Sequence, residues 1–221
     1  MIKIENIDVY GFDAAIRGMR NPLNSWDKSD SGLVVMNPGD VEFGYEPNYE
    51  YIVSENDLKL MKKLSKAGND HAKFLRMIDV TCDITAPLYW WKEYDTYKVG
   101  TVANSCSTMH KIHAKEFTLD DFSHEHLCGM AIATLERVID NLNLERGHYV
   151  ITKDKDCWWQ MIQLLPSSYN QKRTVQLNYQ VLKAMYFARK DHKLDEWRTF
   201  CKYLETLPYF KEICIGEDTD E

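Results

Sequence analysis

The sequence lacks a hydrophobic run long enough to cross a membrane. Its longest apolar stretch, Ala86 to Trp91, is far shorter than the roughly 20 residues that a bilayer requires. The first residues carry acidic side chains and no continuous apolar segment, a pattern that differs from a secretory signal peptide. These two features predict a cytoplasmic protein that does not bind membranes.

Positive charge is scarce in this chain. Lys and Arg total 27 against 34 Asp and Glu, which gives a formal net charge of −7 over 221 residues. A protein that binds nucleic acid broadly needs a basic face to neutralise phosphates, so this balance argues against nucleic-acid partners. A local basic pocket for a small phosphorylated ligand remains compatible with it.

Paired cysteine motifs are also missing. The six cysteines are spread along the chain without a C-x-x-C arrangement. In a chain long enough to bury its own core, this spacing predicts free thiols in a reducing compartment, each buried as a small hydrophobic side chain.

We expect no metal site among the central histidines and Cys128, because their spacing matches neither HExxH nor a zinc finger. These histidines are His110, His113, His124 and His126.

The sequence has ample core material, and its periodicity changes along the chain. Hydrophobic residues make up 44% of the total. Short alternating segments predict strands in the first fifty residues and again over 79–84. The motif Ser54-x-x-Asp57 resembles a capping box that starts a helix. Later segments have apolar residues at helical spacing and predict four helices, over 127–142, 158–165, about 173–190 and 197–204.

Strands early in the chain and helices late in the chain are typical of an α+β fold. We therefore predict a single domain over residues 1–215, with an antiparallel or mixed sheet and a helix-rich C-terminal half. Residues 216–221 are crowded with acidic side chains and are predicted to form a solvated tail.

Two segments carry candidate ligand-binding residues. Residues 100–111, GTVANSCSTMHK, offer backbone N–H groups and hydroxyls to an anion, with Lys98 or Lys111 supplying charge. An ordinary polar loop explains the same composition. On the helix predicted over 173–190, Asn178 and Arg189 share the apolar face. A buried Arg must be paired, and its partner is either an anionic ligand or an acidic side chain at 195–196.

The segment from His71 to Lys98 resembles the central segment of the flavin-dependent thymidylate synthases. In that family a His opens a strand, an Ala-Pro-like turn follows, and an Arg-Gln-x-x-Arg-His-Arg motif comes next. Residues 104–110, NSCSTMH, resemble the family's following Asn-Glu-x-Ser-x-Arg-Tyr element. Residues 178–198 resemble its C-terminal Leu-Arg … His-Ala-Gln-x-Glu stretch.

The resemblance implies an enzyme in which reduced FAD relays a one-carbon unit from methylenetetrahydrofolate to dUMP, while NADPH supplies hydride. It also implies a homotetramer whose active sites lie between subunits. The pairs Trp90-Trp91 and Trp158-Trp159 fit either such an interface or the core. The positions that match the family's functional residues are His71, Lys98 and Asn178 for the cofactor, Asn104 and Ser107 for catalysis, and Arg189, Ser105 and Lys111 for the nucleotide.

The chain departs from the family's motifs at several of these positions. Thr96-Tyr97-Lys98 stands for Arg-His-Arg, Glu93 for Gln, Ser105 for Glu, and Met109 for the Arg that meets a phosphate. Replacing Arg by Met removes charge-assisted hydrogen bonds of roughly 1.5–3 kcal/mol each. The alternative is therefore a catalytically inactive protein of the same family that binds a nucleotide or a protein partner.

Overall fold

The computed structural model describes residues 2–216, so the predicted acidic tail lies, apart from Gly216, outside the described residues. Within this range, six strands form two sheets. The strands are β1 (Lys3–Tyr10), β2 (Gly32–Val35), β3 (Tyr49–Ile52), β4 (Asp79–Pro87), β5 (Thr101–Ser105) and β6 (Asn170–Asn178). One sheet has the order β1-β4-β6-β5. The other is an antiparallel ribbon of β2 and β3, in which Gly32 lies opposite Ile52.

Besides several short 3-10 helices and one π-helical turn, the described part of the chain also contains eight α-helices. They are α1 (Phe12–Arg20), α2 (Pro38–Glu42), α3 (Glu55–Lys66), α4 (Leu88–Tyr94), α5 (Gly129–Thr152), α6 (Lys155–Leu164), α7 (Tyr179–Arg189) and α8 (Asp195–Leu204). The predicted α+β fold with a helix-rich C-terminal half is confirmed. No helix between residues 2 and 216 is long and apolar enough to span a membrane.

The strand predicted over 79–84 is confirmed as part of β4, where Val80, Cys82 and Ile84 are buried in alternation with half-buried neighbours. The helix predicted over 173–190 is wrong in its first half, because residues 170–178 form β6. Burial in β6 follows a period of two near its end, which suits a strand on a pleated sheet better than a helix.

The chain folds into two compact units whose segments alternate along the sequence. The first unit contains the residues up to Ile7 together with Cys82–Val175 and Asp191–Phe200. The second unit contains Asp8–Thr81, Gln176–Lys190 and the residues from Cys201 onward. The predicted domain boundaries at 1 and 215 stay a prediction.

The first unit is centred on aromatic side chains of α4 and α8. Trp90, Trp91 and Trp197 are each at most 1% exposed, and the ring centroids of Trp90 and Trp197 are 4.7 Å apart. Trp90-Trp91 is therefore part of the core. A second apolar cluster lies beneath α5 and α6, where Leu135, Ile139, Leu142 and Met161 pack with Phe117 and Phe122.

The second unit contains a buried ion pair. Arg20 donates from Nε to Oδ1 of Asp57 over 2.6 Å, and both side chains are at most 4% exposed. The other oxygen of Asp57 accepts from the hydroxyls of Ser29 and Ser31. Asp57 therefore does not close the predicted capping box, although Ser54 does precede α3 as its N-cap residue.

Candidate functional site

The predicted site residues are distributed over both units, and each group is described within its own unit. The first unit contains Lys98, Asn104, Ser105, Ser107 and Lys111. The second unit contains His71, Asn178 and Arg189.

His71 lines a cavity of about 510 Å³ in the second unit. The walls come from α1, α3, the turn after α1 and the short 3-10 helix Lys73–Met77. Most of the lining side chains are apolar, and they include Met19, Leu23, Leu60, Leu64, Phe74 and Met77. Asp70 and Lys73 add polar groups beside His71. An apolar cavity with few polar groups is typical of a small-molecule or cofactor site.

A tight turn at the end of α3 positions His71. Gly68 has a φ of +101°, a left-handed conformation that ends the helix without steric cost. Its carbonyl accepts hydrogen bonds from the N–H groups of His71 (3.1 Å) and Ala72 (3.0 Å). The main chain of His71 is thus fixed while its side chain stays exposed.

Two glycines allow the backbone of α1 to approach the segment that ends in Met77. A Cβ on Gly11, whose φ is +98°, would lie 2.0 Å from the carbonyl oxygen of Met77. A Cβ on Gly18 would lie 3.0 Å from the sulfur of Met77. The close approach therefore requires glycine at 11 and favours it at 18, which places the Met77 side chain beside the cavity.

Asn178 has a structural role that sequence reasoning missed. Its side-chain oxygen accepts from the N–H of Val181 over 3.1 Å and caps α7. Asn178 thus precedes the helix, instead of lying on its apolar face. Leu182 and Met185 are buried on α7, and Arg189 is half-buried at its last position.

The polar segment of the first unit begins on β5, which is an edge strand of the four-stranded sheet. Asn104 and Ser105 are exposed, as are Lys98 and Lys111. Ser107 closes a turn, because its hydroxyl oxygen accepts from the N–H groups of Met109 (3.2 Å) and His110 (2.8 Å). The segment therefore presents amide, hydroxyl and ammonium groups to solvent from a strand end and a hydrogen-bonded turn.

The Glu that replaces the family's Gln is held in a polar cluster. Glu93 accepts from Nε1 of Trp197 over 3.1 Å and lies 3.3 Å from Nε2 of His192. Both contacts are to the same carboxylate oxygen, Oε2. The negative charge of a carboxylate strengthens such contacts relative to those of a neutral amide oxygen.

Arg173 is a cation that sequence reasoning did not assign. Its guanidinium carbon lies 4.2 Å from the centre of the Trp91 ring. It also pairs with Asp95, at 2.7 Å, beside the changed Thr96-Tyr97-Lys98 motif.

The acidic partners considered for Arg189 both have contacts within the first unit. Asp195 contacts His126 and Arg198, and Glu196 contacts Tyr89.

The prediction that every cysteine is buried is wrong for three of the six. Cys82, Cys201 and Cys214 are buried, whereas Cys106 and Cys128 are exposed and Cys157 is half-buried. Burial raises the pKa of the Cys82 thiol to about 12, with Asp83 contributing further.

No protein-family model and no curated protein matches the sequence. Solved structures match its fold. Thymidylate Synthase X (ThyX) from Helicobacter pylori, solved with FAD and dUMP, superposes with a TM-score of 0.67 at 13% identity, over 98% of each chain. The UMP/dUMP methylase PolB from Streptomyces cacaoi, bound with 5-Br dUMP, gives 0.59 at 12% identity, over 93% of this chain and 89% of the other. The likeness shows that the chain has the ThyX fold, which confirms the fold implied by the resemblance.

Proposed function

Because the chain has the fold of a flavin-dependent thymidylate synthase, we propose that it binds FAD and a uridine nucleotide and methylates the base at C5. Methylenetetrahydrofolate would supply the carbon and NADPH the hydride. The observation that carries this proposal is the apolar cavity lined by His71, the residue that the resemblance assigns to the flavin.

The cavity has the size and chemistry that a flavin ring needs. Its volume of about 510 Å³ lies within the roughly 300–1,000 Å³ of small-molecule sites. Leu60 and Phe74 offer apolar surface, while His71 and Lys73 offer donors for the polar edge of the ring or for phosphate oxygens. When bound, FAD would supply the redox and one-carbon chemistry.

We propose that the nucleotide binds to exposed groups of the first unit, at positions that match the family's functional residues. Asn104 and Ser107 would line the pyrimidine pocket, while Ser105 and Lys111 would contact other parts of the nucleotide. Lys98 keeps one positive charge of the Arg-His-Arg motif, but its ammonium group cannot form the bidentate contact of a guanidinium. Ser107 would contribute its hydroxyl hydrogen, because its oxygen already accepts two N–H groups.

A second candidate function, nucleotide binding without catalysis, is favoured by the environments of Glu93 and Met109. The Glu93 carboxylate is held by Trp197 and His192, so it lacks the freedom of a group that must contact a ligand. The exposed Met109 side chain also offers no charge to a phosphate. A protein of this kind would bind FAD or dUMP and form no product.

We also propose a cytoplasmic homotetramer. Edge strands with exposed apolar side chains pair readily with other chains. Val102 on β5 is 63% exposed and Val99 just before it is 87% exposed. Light scattering coupled to size-exclusion chromatography measures the mass directly.

The test of function is product formation. Purified protein is incubated with FAD, methylenetetrahydrofolate, NADPH and dUMP, and dTMP is measured by mass spectrometry. The enzyme proposal expects dTMP from wild-type protein and its loss in Asn104→Ala. The matched control Asn141→Ala changes an exposed Asn on α5 and should keep activity. Binding of dUMP with no dTMP would support the non-catalytic function instead.

A further inference from the structure

Three side chains of different ligand type meet where α5 and α6 pack together in the first unit. A carboxylate oxygen of Glu145, an imidazole nitrogen of His148 and the sulfur of Cys157 all lie within 4.8 Å of one another. Glu145 and Cys157 are half-buried, whereas His148 is exposed. The proposals for flavin and nucleotide use none of these residues.

The local backbone explains why they meet. Glu145 and His148 are three residues apart on α5, so their side chains lie on one helix face. The chain then turns sharply, because Lys153 takes a left-handed conformation with a φ of 59° and Asp154 caps α6. Cys157 is the third residue of α6 and returns to the face that Glu145 occupies.

The three side chains together offer the ligand types of one divalent cation. A sulfur, an imidazole nitrogen and a carboxylate oxygen that lie within 4.8 Å of one another can contact a single ion. A bound divalent cation would displace the thiol proton and balance the charges of the thiolate and the Glu145 carboxylate.

We propose that Glu145, His148 and Cys157 bind a zinc ion that joins α5 to α6. Zinc takes thiolate, imidazole and carboxylate ligands, whereas magnesium and calcium prefer oxygen alone. Zinc bonds of about 2.0–2.3 Å in a tetrahedron set ligand atoms roughly 3.3–3.8 Å apart. The three ligand atoms must therefore move closer together from a spacing of at most 4.8 Å, and the His148 side chain is exposed and can rotate. Water would take the fourth position.

The test is a titration of the full-length, untagged protein with Co²⁺, whose bond to a thiolate produces an intense near-ultraviolet absorption band. We expect one equivalent of Co²⁺ to produce this band in wild-type protein and Zn²⁺ to displace it. Cys157→Ser should abolish the band. The matched control Cys128→Ser removes an exposed thiol just before α5 and should leave the band unchanged. Absence of the band in wild-type protein, or its persistence in Cys157→Ser, would overturn the proposal.

Zinc affinity and thermal stability provide independent readouts. His148→Gln and Glu145→Gln should weaken Zn²⁺ binding by at least about tenfold, since residues that only orient metal ligands already contribute 10–100-fold. At the same concentration, Zn²⁺ should raise the Tm of wild-type protein more than that of His148→Gln. Because His148 is exposed, this variant should fold even where Cys157→Ser does not. Equal Zn²⁺ affinities in wild-type and His148→Gln proteins would contradict the site.

Discussion

Removing the charge of Asp57 should destabilise the second unit far more than its small chemical change suggests. Asp57→Asn keeps the shape of the side chain but leaves the Arg20 guanidinium, 4% exposed, without its carboxylate partner. In the wild-type protein, Oδ2 of Asp57 accepts hydrogen bonds from the hydroxyls of Ser29 and Ser31 and from two backbone N–H groups. An amide nitrogen at that position cannot accept these bonds. Breaking a buried ion pair costs about 3–5 kcal/mol. For a chain of this size that is a fall in Tm of roughly 6–20 °C.

Urea unfolding followed by tryptophan fluorescence and calorimetry measures this loss. The matched control is Asp13→Asn, which removes the exposed ion pair of Asp13 with Arg17 on α1. A surface pair of this kind contributes at most about 0.5 kcal/mol. If the two variants lose equal stability, the argument from burial is refuted.

The pH dependence of stability should follow from the same pair. Burial alone would raise the pKa of Asp57, but hydrogen bonds from Ser31, Ser29 and Arg20 outweigh it and lower the pKa below its ordinary value. The contribution to stability is therefore complete above the unfolded pKa and is lost as pH falls through the folded pKa. Asp57→Asn should lose less stability than wild-type protein between neutral and acidic pH, and parallel pH profiles would contradict this.

Three further predictions concern other parts of the chain. Gly11→Ala should lower the free energy of unfolding by at least about 1–3 kcal/mol, because a left-handed φ and a carbonyl at 2.0 Å both exclude a Cβ; an unchanged urea midpoint would contradict it. Tyr89→Phe should cost about 1–3 kcal/mol by removing the hydrogen bond to a buried carboxylate, whereas Tyr10→Phe at an exposed position should cost nothing measurable. Cys106 should react with a thiol reagent in the folded protein and Cys82 only after unfolding, as peptide mapping of timed reactions would show.

Short-range sequence patterns predicted elements in which burial alternates from one residue to the next. The alternation of Val80, Cys82 and Ile84 identified β4 because one pleat face is buried throughout. The error at β6 arises because its sequence, NQKRTVQLN, has only two apolar residues, Val175 and Leu177. Two positions are too few to distinguish the period of a strand from that of a helix. Asp57 has its partner 37 residues away in Arg20, so its role as a buried counter-ion could not be predicted from a four-residue motif.

The sequence offered candidate residues for the site, but the shape of the cavity beside His71 could not be predicted from it. Resemblance of a short segment pointed to His71, but the cavity beside it requires the close approach of α1 to Met77 that Gly11 and Gly18 allow. The capping role of Asn178 depends on where α7 begins, which the predicted helix placed too early. Likewise, the three-residue spacing of Glu145 and His148 is visible in the sequence, while the position of Cys157 beside them depends on the turn between α5 and α6.

Titration of the full-length protein with FAD, followed by quenching of flavin fluorescence and by calorimetry, tests the central claim most directly. The account predicts saturable binding that raises the Tm. His71→Ala should weaken the affinity by about tenfold or more, equivalent to the loss of about 1.4 kcal/mol of contacts. His126→Ala, an exposed histidine of the first unit, should bind as wild-type protein does. Unquenched flavin and an unchanged Tm for wild-type protein would contradict the account.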